Sequence, residues 1–401
     1  MSTADRVFIT GASGFIGGRL AERLLAAGRR VRMLARRPLP ALEKLGAEIV
    51  PGDLHDLAAL RHGCEGAGTV FHVAGRVGVW GSVDDFFRVN VGGTQNVIAA
   101  CRAAGVARLV YTSSPSVVYS GGNLAGVDES APLCTAAPCA YPTSKAAAER
   151  AVTAAHGPAL ATIALRPHLV WGPGDQNVVP RMLALADKGR LRIVGSGRNL
   201  VDCTHIANVV DAHLLAEAAL IVGGGGPALS RSKGPSPREV GATGHPSNDA
   251  FSGEPSPGQV PGRTVGPAPP STNGPHGTSH LISDKFGAAK NPGGRAYFIT
   301  NGEPVVLWDW VNELLNGLGR PTVTRHISLG AAYRVGGLLE AAWRILPLQG
   351  EPPMTRFVAK ELATDHWFKI DAARRDLGYA PRVTMAAGTA ELIAHYRAGH
   401  Q

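Results

Sequence analysis

The chain has 401 residues, of which 44% are hydrophobic and 18% charged, with a formal net charge of +9. That length can hold a large core, read here as one nucleotide-binding domain with a smaller attached lobe. The positive charge is thinly spread, with no basic run interleaved with aromatics and no nucleic-acid motif. A nucleic-acid partner is therefore excluded, and the charge is read as solubility plus attraction for a phosphorylated cofactor.

Short apolar strands alternate with amphipathic helices from Val7 to about Val170, which predicts an α/β fold with a doubly wound parallel sheet. Strands are expected near Val7–Thr10, Val31–Leu34, Glu48–Val50, Thr69–His72, Arg108–Thr112 and Thr162–Arg166. The first is followed by Gly11, Gly14 and Gly17 and then by a helical pattern. Gly11 lets the chain turn, Gly14 lets the backbone approach a pyrophosphate, and Gly17 lets the helix pack on the strand. The helix N-terminus then faces the phosphates. At the end of the second strand stand Ala35, Arg36 and Arg37. Guanidinium groups in place of a carboxylate suit a ribose 2′-phosphate, hence NADP(H) over NAD(H).

The strand Arg108–Thr112 runs into Ser113 and Ser114 and is closed by Pro115. A hydroxyl there lies where parallel sheets bind ligands. Downstream, Tyr141-Pro142-Thr143-Ser144-Lys145 places a phenol and an ammonium on one helix face. The cation is expected to lower the phenol's pKa towards working pH, giving a proton donor for a carbonyl oxygen. His168 is a second candidate acid, but Tyr141 already fills that role. Asn208 is read as structural.

From about Ile221 to Gly294, Pro, Gly, Ser and Thr dominate, which predicts a disordered insertion. The helix before it is expected to end near Ala219 and the strand after it to span Ala296–Thr300. A helix follows from near Trp308. Residues Leu329 to Leu346 read as a mostly apolar helix whose charges, Arg334, Glu340 and Arg344, fall on one arc of roughly 120°. The wide apolar face left over is read as core packing, as one wall of an acyl tunnel, or as a surface docking on lipid or a partner. The domains are thus 1–170 for the nucleotide, with 200–220 returning to it, 171–220 and 295–401 for substrate, and 221–294 as insertion.

The five cysteines form no C-x-x-C pair and are odd in number, which fits free thiols in a reducing, cytoplasmic setting. No metal is expected from the fourteen histidines. The first core strand starts too close to Met1 for a signal peptide, and no run is long enough to predict a membrane span. A peripheral membrane or enzyme-assembly contact and a homo-oligomer are left open.

The glycine spacing and the Tyr141/Lys145 pair resemble the extended branch of the short-chain dehydrogenase/reductase superfamily, nearest its 3β-hydroxysteroid dehydrogenase-like group. The resemblance covers nearly the whole chain except the insertion. It implies a Rossmann-type fold with catalytic Tyr141, Lys145 and Ser114, Ser113 being the runner-up. It also implies a cofactor site of Gly11, Ser13, Gly14, Phe15, Ile16, Gly17, Arg36, Arg37, Asp53, Leu54, Ala74, Gly75, Tyr141, Lys145 and Pro167. Asp53 matches an adenine contact, Ala74 and Gly75 the turn backing the adenosine, and the stretch after Pro167 lies beside the nicotinamide. Three stretches resemble bacterial 2-alkyl-3-oxoalkanoate reductases of long-chain olefin biosynthesis: Gly78-Val79-Trp80-Gly81, Ser114-Pro115-Ser116-Val117, and Gly350 to Arg356. The expectation is an NAD(P)H-dependent enzyme interconverting a 3-keto and a 3-hydroxy group on a lipid-like substrate. The alternatives are a 3β-hydroxysteroid or sterol-carboxylate dehydrogenase and, below them, a nucleotide-sugar epimerase. Ala35 and the apolar C-terminal half speak against the epimerase. A cofactor-sensing binding protein is disfavoured because both Tyr141 and Lys145 are present.

Overall fold

The structure, a computed structural model, describes residues 6–223, 292–346 and 348–399. The expected insertion, 221–294, lies almost wholly outside the described residues. The helix before it runs over Ile206–Val222, three residues past the expected end, and the strand after it spans Arg295–Ile299.

Seven parallel strands form the central sheet: β1 (Arg6–Thr10), β2 (Arg30–Ala35), β3 (Glu48–Pro51), β4 (Thr69–His72), β5 (Arg108–Thr112), β6 (Ala161–Pro167) and β7 (Arg295–Ile299). Their spatial order is β7-β6-β5-β4-β1-β2-β3. The order reverses between β1 and β4, where Ile9 pairs with Met33 on one side and Phe71 on the other. Such a switch point opens a crevice at the carboxyl ends of the strands.

The strands read as continuous apolar runs because both faces are covered. Val7 and Ile9 point into one layer with Leu20, Leu24 and Met33, under the helices Phe15–Ala26 and Ile206–Val222. Phe8, between them, points the other way, into a layer with Leu60, Val70, Val97 and Tyr111. A third core, built from Trp171, Leu183, Val194, Trp308, Leu314 and Leu392, lies among later helices. A four-stranded sheet joins Leu124–Val127, His366–Phe368, Leu200–Val201 and Val305–Val306, drawing segments distant in sequence together beside β7.

The helix predicted at Leu329–Leu346 is present as Leu329–Ile345, but its facing departs from the sequence reading. Ala332, Gly336 and Glu340, one helical turn apart, form the buried face. A side chain at Gly336 would meet the Thr355–Arg356 backbone at 2.7 Å, so only glycine lets these segments touch. Glu340, expected on the outward polar arc, is buried and accepts from the Arg356 backbone N–H at 2.7 Å and its Nε at 2.8 Å. Val335, Leu338 and Ile345 are exposed while Leu339 and Trp343 are half-buried, so the apolar face is only partly packed on the core. The close glycine contact and the ion pair outweigh hydrophobicity in orienting this helix. Among the described residues, no helix is long and apolar enough to cross a membrane.

Candidate active site

The glycine turn has the form its spacing predicts. Gly11 sits at φ +80°, and a side chain there would lie 2.6 Å from the Ala74 backbone nitrogen, so β1 and the end of β4 approach at van der Waals range. A side chain at Gly17 would overlap the Gly11 carbonyl. Gly14 caps the helix Phe15–Ala26 with no side-chain bond, leaving first-turn N–H groups without intrahelical acceptors. Ser13 and Gly14 are exposed and Phe15 and Ile16 half-buried, whereas Gly17 is packed inside. This cradle fits a dinucleotide pyrophosphate: it has bare backbone, aligned donors and the positive end of a helix dipole. Arg36 and Arg37 lie exposed just beyond β2, and neither is in an ion pair among the described residues. Asp53 is exposed past β3 and accepts from the His55 N–H at 2.7 Å. Leu54 is buried instead, against Gly93, so its side chain serves the core. Pro167 ends β6 and is buried opposite Ile299.

The helix Ala140–Ala154 carries Tyr141 and Lys145 to the end of β5. Lys145 Nζ donates to the Thr112 carbonyl at 2.7 Å and lies 4.4 Å from the centre of the Tyr111 ring. Burial lowers the amine to about 7, with the Glu149 carboxylate opposing the shift. Tyr141 departs from expectation. Burial raises its phenol, the Ser114 hydroxyl beside it pulls the other way, and the cation does not reverse the balance. The expected lowering is not seen because desolvation of the phenol itself is the largest influence on it.

The neighbouring serines separate cleanly. Ser113 donates to Glu149 Oε2 at 2.6 Å, and Arg166 donates to both oxygens of the same carboxylate. That hydroxyl is committed to a buried ion pair. Ser114 is half-buried, lies beside the Tyr141 phenol, and accepts from the Ser116 N–H at 3.3 Å.

Two polar residues escaped the sequence reading. Asn90 is buried in a π-helical turn, Arg88–Gly92, that interrupts the helix leading into Gly93–Ala103. Its Nδ2 donates to Ser144 Oγ at 3.0 Å and to the Arg76 carbonyl at 3.1 Å, while its Oδ1 accepts from the Arg76 N–H at 2.7 Å. It thereby ties the segment after β4 to the Tyr141 helix. An asparagine at an inward helical position was the available signal. His72 is buried between Thr10 Oγ1 at 2.7 Å and Thr94 Oγ1 at 2.9 Å, and burial lowers it to about 3, so it stays neutral.

His168 packs its ring against His366, 5.0 Å between centres, and burial holds it well below the usual histidine range. An acid role would need the charged imidazolium, which burial disfavours here. Together with Glu361, the two histidines bring possible ligand atoms within 4.8 Å of one another, although His366 Nε2 is engaged by the Glu361 carbonyl. Asn208 is structural: it donates to Asn301 and the Val383 carbonyl and accepts from two backbone N–H groups.

The stretches Gly78–Gly81 and Gly350–Arg356 meet in space. A side chain at Gly78 would fall 2.5 Å from Glu351, whose carboxylate pairs with Arg181 at 3.1 Å. The Arg344 guanidinium sits 5.6 Å from the Trp80 ring centre.

Residues 8–230 match the 3-beta hydroxysteroid dehydrogenase/isomerase family. The chain is similar to the 2-alkyl-3-oxoalkanoate reductase of Stenotrophomonas maltophilia (strain K279a), 38% identical over 97% of this chain and 98% of that protein. It is also similar to the protein of that name from Shewanella oneidensis, 37% identical over 97% of this chain and 86% of the other. Among solved structures it is similar to MoeE5 in complex with UDP-glucose and NAD. The TM-score is 0.62 at 25% identity, covering 99% of this chain and 100% of that one.

Proposed function

Because this chain belongs to the 3-beta hydroxysteroid dehydrogenase/isomerase family and is an NAD(P)-dependent oxidoreductase acting on a CH–OH/C=O group, we propose that it reduces a 2-alkyl-3-oxoalkanoate to the 2-alkyl-3-hydroxyalkanoate. The observation that carries the substrate class is the full-length similarity to the two reductases of that name. We retain the division into a nucleotide-binding part, 1–170 with 200–220, and a substrate lobe from the later segments.

In this reading the glycine cradle holds the cofactor's pyrophosphate, and Arg36 and Arg37 favour a 2′-phosphate, hence NADPH over NADH. When bound, the cofactor supplies the hydride. Ser114 donates to the substrate keto oxygen and fixes its direction. Tyr141 delivers the proton as negative charge develops on that oxygen. A phenol raised by burial suits this role: it holds its proton at working pH and releases it to a stronger base. Lys145 holds the nicotinamide ribose, and Asn90 positions the Tyr141 helix through Ser144.

Steady-state oxidation of NADPH tests the proposal, with long 2-alkyl-3-oxoalkanoates, 3-ketosteroids and sugar nucleotides offered in parallel. Turnover confined to the β-keto acids supports it. Preference for a steroid or a sugar nucleotide would overturn the substrate class while leaving the reaction type intact.

A further inference from the structure

We propose that Arg76 forms a carboxylate subsite in this cleft, receiving the acid group of a β-keto acid whose keto oxygen faces Tyr141; the proposal rests on the function reading above. Arg76 stands at the carboxyl end of β4, immediately after Gly75, where a side chain would lie 3.8 Å from Lys145 Nζ. Its main chain is locked by Asn90 on both sides, and Asn90 is bonded in turn to Ser144 on the Tyr141 helix. The side chain lies over Phe86, 4.9 Å from guanidinium carbon to ring centre, and Phe86 meets Tyr141 edge-on at 6.4 Å. One buried ring therefore touches both the cation and the proton donor.

The guanidinium is underused by the protein. Its Nε is buried without a hydrogen-bond partner, and no carboxylate pairs with Arg76 among the described residues. A buried donor on a cation is costly unless an anion satisfies it, and the planar guanidinium fork matches a carboxylate. The loop Gly78–Gly81 folds back over it: Gly81 sits at φ +133°, and a side chain there would come within 2.7 Å of Arg76 Nη2. In a β-keto acid the carboxylate carbon is two bonds from the carbonyl carbon. Its counter-charge must therefore sit within a side chain's reach of the proton donor, as a residue sharing Phe86 with Tyr141 does. A ketone without a carboxylate gains nothing from this cation.

The test compares wild type, Arg76→Met and Arg76→Lys on a 2-alkyl-3-oxoalkanoate and on its methyl ester, with melting temperatures. The expected result is a KM for the acid raised about 10- to 100-fold in Arg76→Met, the ester changing by less than about threefold, and partial recovery in Arg76→Lys. Equal losses on acid and ester, or a wild type indifferent to the carboxylate, would overturn the subsite. A second arm measures binding of the saturated 2-alkylalkanoic acid by calorimetry. If wild type reduces no β-keto acid yet binds this acid through Arg76, the function reading falls and the subsite stands. If wild type reduces the keto acid and Arg76→Met binds and reduces it unchanged, the subsite falls and the function reading stands.

Discussion

Lys145 Nζ is bonded to the Thr112 carbonyl at 2.7 Å, so the amine of the Tyr141 helix is moored to the end of the strand that leads into Ser114. The mooring is buried, and it sets a pH dependence. Burial lowers the folded amine from 10.5 to about 7. Below pH 7 both states hold the proton and the cost of burying the ammonium is fully present. Between pH 7 and 10.5 the unfolded chain holds a proton the folded chain lacks, so this group's contribution to stability improves as pH rises. Lys145→Met should therefore compare best with wild type near pH 6 and lose ground towards pH 10, on top of a pH-independent cost for leaving the Thr112 carbonyl without its donor. Denaturant melts of both proteins across that range check this, and a pH-independent difference would refute it.

Tyr141→Phe keeps the ring against Phe86 but removes the transferable proton. Turnover should fall by at least about 10²-fold, the ordinary scale of general-acid catalysis. Cofactor affinity, read by fluorescence titration, should stay near wild type. A variant retaining a tenth of the wild-type rate would remove Tyr141 from the proton-donor role.

Arg36→Ser combined with Arg37→Ser should weaken NADPH binding by about 10- to 100-fold and leave NADH nearly unchanged, because charge-assisted contacts to the 2′-phosphate are lost. The arginines are the better targets, since Ala35 is buried at the end of β2 and a carboxylate there would be desolvated. Titration with both nucleotides decides the point. A wild type that already prefers NADH would sink the assignment.

The helix Leu329–Ile345 offers a paired test of which face is buried. Leu338→Glu adds a charge where the side chain is 72% exposed, and should change stability by no more than about 0.5 kcal/mol. Glu340→Ala removes a charge from the buried face and strands the Arg356 N–H and guanidinium, at a cost of about 1–3 kcal/mol. Urea midpoints measured on both variants should differ in this direction. The reverse order would mean the apolar face packs inward.

Much of this molecule was written locally. Six parallel strands between Val7 and Pro167 came from apolar runs, because a strand buried on both faces must be apolar throughout. The glycine turn came from spacing, because the close approaches at Gly11 and Gly17 admit no side chain. Tyr141 and Lys145 came from helical periodicity, which fixes neighbours four residues apart wherever the helix goes. Tertiary structure decided what depends on partners far along the chain. Ser113 and Ser114 are alike in sequence, and only Glu149 and Arg166, arriving from other elements, take one hydroxyl out of the cleft. The Tyr141 phenol shifts upward rather than downward because desolvation is a property of everything packed around it. Glu340 turns inward because Arg356 waits there with two donors, a long-range pairing that helical periodicity alone does not encode.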